Sequence, residues 1–136
     1  MNSFSILERD DGDIHYRGLN DANQTMNLTL QKWYYPTQHK SDWYVVFWIG
    51  NKRKQGYKFK EQTGRAGISS LVWAKECLKN FIETKIDRAI DNRIIVNWDD
   101  SKRRRVYEWG LKDIGFKTSR DYNNPALILV LNKDLQ

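Results

Sequence analysis

Residues 56–82 read GYKFKEQTGRAGISSLVWAKECLKNFI, and the spacing of the apolar positions changes inside them. Tyr57 and Phe59 alternate with Lys58 and Lys60, the two-residue period of a strand. Further on, Ile68, Leu71, Val72, Ala74, Leu78, Phe81 and Ile82 recur at helical spacing. Lys75, Glu76, Lys79 and Glu83 fill the opposite face. The pattern predicts a strand over 56–61 and a helix over 68–85. Between them lies Thr63-Gly64-Arg65-Ala66-Gly67. Glycine tolerates φ > 0 and lets backbone approach a ligand closely. A helix start has unpaired N–H groups and a partial positive charge, so it attracts anions. Arg65 adds a fork-shaped donor. The loop therefore reads as a phosphate site, or as a strand-to-helix turn that uses glycine for geometry alone.

Outward from this stretch the chain alternates in type. Residues 3–8 (SFSILE), 25–35 (TMNLTLQKWYY) and 42–50 (DWYVVFWIG) carry strand patterns, with Met26, Leu28 and Leu30 on one face of the second. Residues 9–24 are polar, with Gly12 and Gly18, and read as a loop or distorted turn. Residues 93–98 (RIIVNW) form a strand with three consecutive aliphatics, and so a central one. Residues 99–114 read as a second helix, capped by Asp99, Asp100 or Ser101 and stopped by Gly115. FKTSR and ALILVL flank the turn DYNNP and close the chain with a strand pair. The expected order is ββββαβαββ over residues 1–136, one domain. Its class is mixed α/β: a mostly antiparallel sheet, a central βαβ unit and a C-terminal hairpin.

Composition bounds the function. Aromatics make up 13% of the chain, which excludes disorder. No apolar run approaches the roughly 20 residues that span a bilayer, so no membrane partner is expected. The start is too polar and acidic for a signal peptide. Cys77 is the one cysteine and has no internal disulfide partner, which points to a reducing, cytoplasmic setting. His15 and His39 are the only histidines, and no zinc-like spacing exists, so no metal is expected. The net charge of +6 fits anionic partners or serves solubility alone. Small size and high aromatic content point to a phage or mobile-element protein.

The element order resembles the GNAT (Gcn5-related N-acetyltransferase) family. In that family a strand runs into a glycine-rich loop and helix whose backbone amides hold the pyrophosphate of acetyl-CoA. The stretch 62–74 (QTGRAGISSLVWA) is similar to that loop. Glu61, Gly64 and Ala66 fall at the loop's spacing, with Glu where the family has Arg or Gln. The stretch VNWDDSKRRRVYEWGLKDIGF is similar to the family's second signature through Asn97, Tyr107, Gly115 and Phe116. The family's Tyr lies four residues before the Gly, where this chain has Leu111. The resemblance covers roughly residues 25–132. It implies acetyl-CoA as cosubstrate, bound by Gly64, Arg65, Ala66, Gly67, Ile68 and Asn97, and an amine as acceptor. It also implies Tyr107 as the acid that reprotonates the thiolate. The family usually has one or two helices between its first two strands, covering the acceptor, and residues 9–24 leave little room for them.

Each candidate has a plain structural alternative. Tyr107, Leu111 and Ile114 lie at i, i+4 and i+7 and make a packing stripe. Glu61, at a strand end, either deprotonates an amine or is simply solvated. Lys102, Arg103, Arg104 and Arg105 open a helix, against its dipole. They suit the phosphates of CoA or nucleic acid, or form a solvated run. Trp33, Tyr34 and Tyr35 either stack bases beside His39 and Lys40 or continue the strand with one or two in the core. Two functions follow. The first is N-acetyl transfer from acetyl-CoA to an amine. The second is a non-catalytic basic module that binds nucleic acid, a host protein or another acidic protein.

Overall fold

The structure, a computed structural model, describes residues 4–50, 65–97 and 101–134, with the backbone alone at residues 65–68, 101–104 and 106. Four strands come first: β1 (Ser5–Glu8), β2 (Ile14–Leu19), β3 (Thr25–Tyr35) and β4 (Lys40–Ile49). Helix α1 (Arg65–Thr84), strand β5 (Asp91–Asn97) and helix α2 (Ser101–Leu111) follow. A 3-10 turn (Lys112–Ile114) leads to the hairpin β6 (Lys117–Asp121) and β7 (Asn124–Leu131). The seven strands form one sheet in the order β1-β2-β3-β4-β5-β7-β6. Every neighbouring pair is antiparallel except β4 with β5. The expected class, α/β with a mostly antiparallel mixed sheet, is the one found.

Alternation sets the two faces of the sheet. Ile14 and Tyr16 of β2, Met26, Leu28 and Leu30 of β3, Trp43 and Ile49 of β4, Ile94 and Val96 of β5, and Leu127 and Leu129 of β7 pack into one core. Trp73, Ala74, Cys77, Leu78 and Phe81 of α1 cover it, joined by Leu111 and Phe116. Phe81 meets Trp43 edge-on at 4.7 Å between ring centroids. Both helices lie on this face. They touch closely because Gly110 has no side chain: a Cβ there would sit 3.1 Å from Leu71 Cδ2. Gly115 ends the 3-10 turn at φ +114°, in the left-handed region, and its N–H bonds the Lys112 carbonyl at 3.1 Å.

Several expectations change. Residues 9–24 are not all loop, since Ile14–Leu19 is a strand between β1 and β3. Its polar His15 and Arg17 hid the alternation, and pairing with neighbours on both sides overrode weak local propensity. The strand expected over 56–61 and the caps Asp99 and Asp100 lie outside the described residues. The parallel neighbour of β5 is β4. Helix α1 begins three residues earlier than its apolar spacing predicts, at Arg65. Val72 is exposed, while Trp73 and Cys77 are buried in its place. None of the three residues 33–35 is in the core: Trp33 and Tyr34 are 58% and 48% exposed, and Tyr35 is half-buried. Among the described residues no helix is long and apolar enough to cross a membrane.

Candidate functional site

Among the described strands the parallel pair is the one change of pairing direction in the sheet. The β4–β5 ladder runs from Lys40 opposite Asp91 to Tyr44 opposite Ile95, and does not continue to Val45 and Val96. β4 nevertheless stays paired with β3 as far as Ile49 opposite Met26. β5 stays paired with β7 as far as Asn97 opposite Ala126. Each strand therefore keeps its outer neighbour past the last rung of the β4–β5 ladder. Ligands of open α/β sheets bind outside the carboxyl ends of strands.

Topology brings the sequence candidates to this end. A crossover between parallel strands leaves one strand at its carboxyl end, so α1 starts there. Arg65, Ala66, Gly67 and Ile68 form its first turn. Gly67 is thus helical, not part of the preceding loop. Amides of a first turn have no intrahelical acceptor and carry the positive end of the helix dipole. Asn97 ends β5 at the same mouth and is exposed. α2 starts just beyond it, with Lys102, Arg103, Arg104 and Arg105 in its first turns and Arg105 exposed. Gly64 and Glu61 lie outside the described residues.

Tyr107 is half-buried and packs against the core, as does Ile114, while Leu111 is fully buried. The three make the packing stripe that their spacing predicts.

Before the ladder ends a charged brace joins the two strands. Arg93 Nε donates to Asp42 Oδ1 at 2.9 Å and Nη2 to Oδ2 at 2.7 Å. The paired residues lie two positions before the ladder ends. Such bidentate pairs are strong and directional. The carboxylate raises the Arg93 pKa further above its ordinary range. Beside it, the Tyr44 hydroxyl donates to Asp121 Oδ1 at 3.2 Å, and burial followed by that carboxylate pushes its pKa up.

On the sheet face away from the helices a second polar cluster surrounds His15. Its Nε2 lies 3.0 Å from Asn27 Oδ1. The Asn27 amide nitrogen donates to the Gly50 carbonyl at 2.8 Å, which turns its oxygen toward the imidazole. His15 Nε2 therefore carries a proton. Arg9 Nη2 approaches Nδ1 at 3.5 Å. Burial, then the charges of Arg17 and Arg9, lower the His15 pKa below 6.5, against a rise from the Asn27 bond. The ring is neutral at physiological pH. Trp48 packs 5.5 Å from it. Its buried indole N–H has no hydrogen-bond partner among the described residues. Trp48 belongs to the stretch of β4 beyond the ladder's end. Sequence reasoning missed this cluster and the brace, because only strand register sets Arg93 opposite Asp42 and brings Asn27 diagonally within reach of His15.

Among the described residues no group of three or more His, Cys, Asp or Glu side chains is arranged to hold a metal ion. The fold is α/β, with a mostly antiparallel mixed sheet whose parallel pair is β4 with β5. No protein-family model, curated protein or solved structure matches the chain.

Proposed function

We propose that the protein is a GNAT-like N-acyltransferase that holds the thioester of acetyl-CoA in a crevice at the carboxyl ends of β4 and β5 and passes its acyl group to an amine. The observation that carries this reading is the ladder that stops at Tyr44 and Ile95 while both strands continue. At that end α1 starts, with Arg65 in its first turn. In this reading Arg65 and the first-turn amides of α1 hold the pyrophosphate, and Asn97 lines the mouth. A backbone N–H of β4 beyond Tyr44 polarises the thioester carbonyl. The amine nitrogen attacks the carbonyl carbon, the C–S bond breaks, and the electron pair leaves on sulfur as a thiolate. The amine's proton passes to Glu61 or to water. Leu111 occupies the family's Tyr position, so protonation of the thiolate falls to Tyr107 or to water. The link from β1 to β2 is the short turn Arg9–Asp13, with no helix in it. An acceptor side without that cover suits a large amine substrate.

Calorimetric titration with acetyl-CoA tests the reading. The parent is expected to bind. Arg65→Ala should weaken binding roughly tenfold to a hundredfold if a hydrogen bond to a charged phosphate is removed. Gly67→Val, with a branched side chain among the first-turn amides, should weaken it as well. No binding by the parent at millimolar acetyl-CoA would sink acyl transfer. It would leave the non-catalytic basic module as the function of this fold. If acetyl-CoA binds, turnover in Tyr107→Phe separates protonation by Tyr107 from protonation by water.

A further inference from the structure

A groove of about 540 Å³ lies between α1 and α2 on their outer side, away from the sheet. Leu71, Val72 and Gly110 line it, and Trp109 stands beside them. Trp109 is 73% exposed and Val72, on the same groove, 41%, so the two make an apolar patch open to a partner. Lysines 75, 79 and 112 surround the groove. The two nearby carboxylates are already engaged: Asp113 with Lys75 at 2.6 Å, and Glu76 with Lys79 at 3.9 Å. Lys112 has no ion-pair partner among the described residues, and neither does Arg105. Arg105, Trp109 and Lys112 stand at i, i+4 and i+7, all exposed, on one side of α2 and its closing turn. The row begins in the run Lys102–Arg105, placed against the helix dipole.

We propose that this groove and the basic face of α2 bind single-stranded nucleic acid, with one base stacked on Trp109 and phosphates held by Arg105 and Lys112 on either side. An indole face stacks on any base, and flanking cations hold the backbone. The excess of cations selects an anionic partner. The exposed ring favours one that offers open base faces, which a duplex keeps stacked. The inference does not rest on acyl transfer, because no residue that lines the groove belongs to β4 or β5.

The test is fluorescence anisotropy of a short labelled oligothymidylate with the full-length chain. Trp109→Ala is expected to weaken binding by about 5- to 100-fold. Trp109→Phe should restore binding to near the parent's level. The Arg103, Arg104 and Arg105 to Ala triple variant should flatten the salt dependence, by about 0.7 in slope for each phosphate no longer neutralised. Because Trp109 is exposed, its variants should melt as the parent does, which separates loss of stacking from loss of fold. Parent-like affinity in Trp109→Ala would overturn the proposal. So would equal affinity for duplex DNA, or displacement by polyglutamate at equal charge, which would mark a site for acidic protein. Displacement by acetyl-CoA would move the nucleic acid to the crevice and overturn it too.

Discussion

Arg93→Met should destabilise the protein more than most substitutions of a partly exposed residue. Asp42 is 1% exposed, so losing the guanidinium strands a carboxylate between β4 and β5. Removing one partner of a buried pair costs about 3 to 5 kcal/mol. The Arg93 side chain is itself 33% exposed. Its removal opens a route for water to Asp42, and the expected loss is therefore about 3 kcal/mol, the low end of that range. Urea unfolding of parent, Arg93→Met, Asp42→Leu and the double variant measures it. The double variant should lose less than the sum of the singles, because it strands no charge. Hydrogen exchange should also quicken at Tyr44 and Ile95, the last rung of the ladder. A loss below about 1 kcal/mol in Arg93→Met would refute the reasoning, since it would mean that water already reaches Asp42.

Three further outcomes follow from the packing and the titration of particular residues. Leu78 is 2% exposed under α1, and Leu78→Ala should cost about 2 to 5 kcal/mol in the same urea assay. Gly115→Ala should cost about 1 to 2 kcal/mol from its left-handed backbone alone. The new Cβ would also lie 3.1 Å from Leu129 Cδ1, and the melting temperature reads the loss. The folded His15 has a pKa below 6.5, so below that pH the unfolded chain binds more protons and stability falls as pH falls. His15→Asn should make the parent's loss of stability between about pH 7 and pH 5 smaller, as followed by thermal melts.

Local pattern was enough for elements whose own residues repeat. β3 spans the residues that alternation marks, because Met26, Leu28 and Leu30 need only their own spacing to define a buried face. The body of α1 and the stop at Gly115 follow for the same reason. The convergence of Arg65, Asn97 and the basic start of α2 at one end of the sheet also follows from the alternation of strands and helices. What tertiary structure decided depends on residues far apart in the chain. β2 exists through its pairing with β1 and β3, not through a strong pattern of its own. Trp33 and Tyr34 continue the aromatic strand pattern but lie where no element among the described residues covers them. Asp42 and Arg93 carry no local sign of each other, and neither do His15 and Asn27. Their partnership comes from strand register, which places residues 51 and 12 positions apart within hydrogen-bonding distance. The end of the parallel ladder is the plainest case. Each strand's own sequence makes it long, but nothing local in either sequence marks Tyr44 and Ile95 as the last rung.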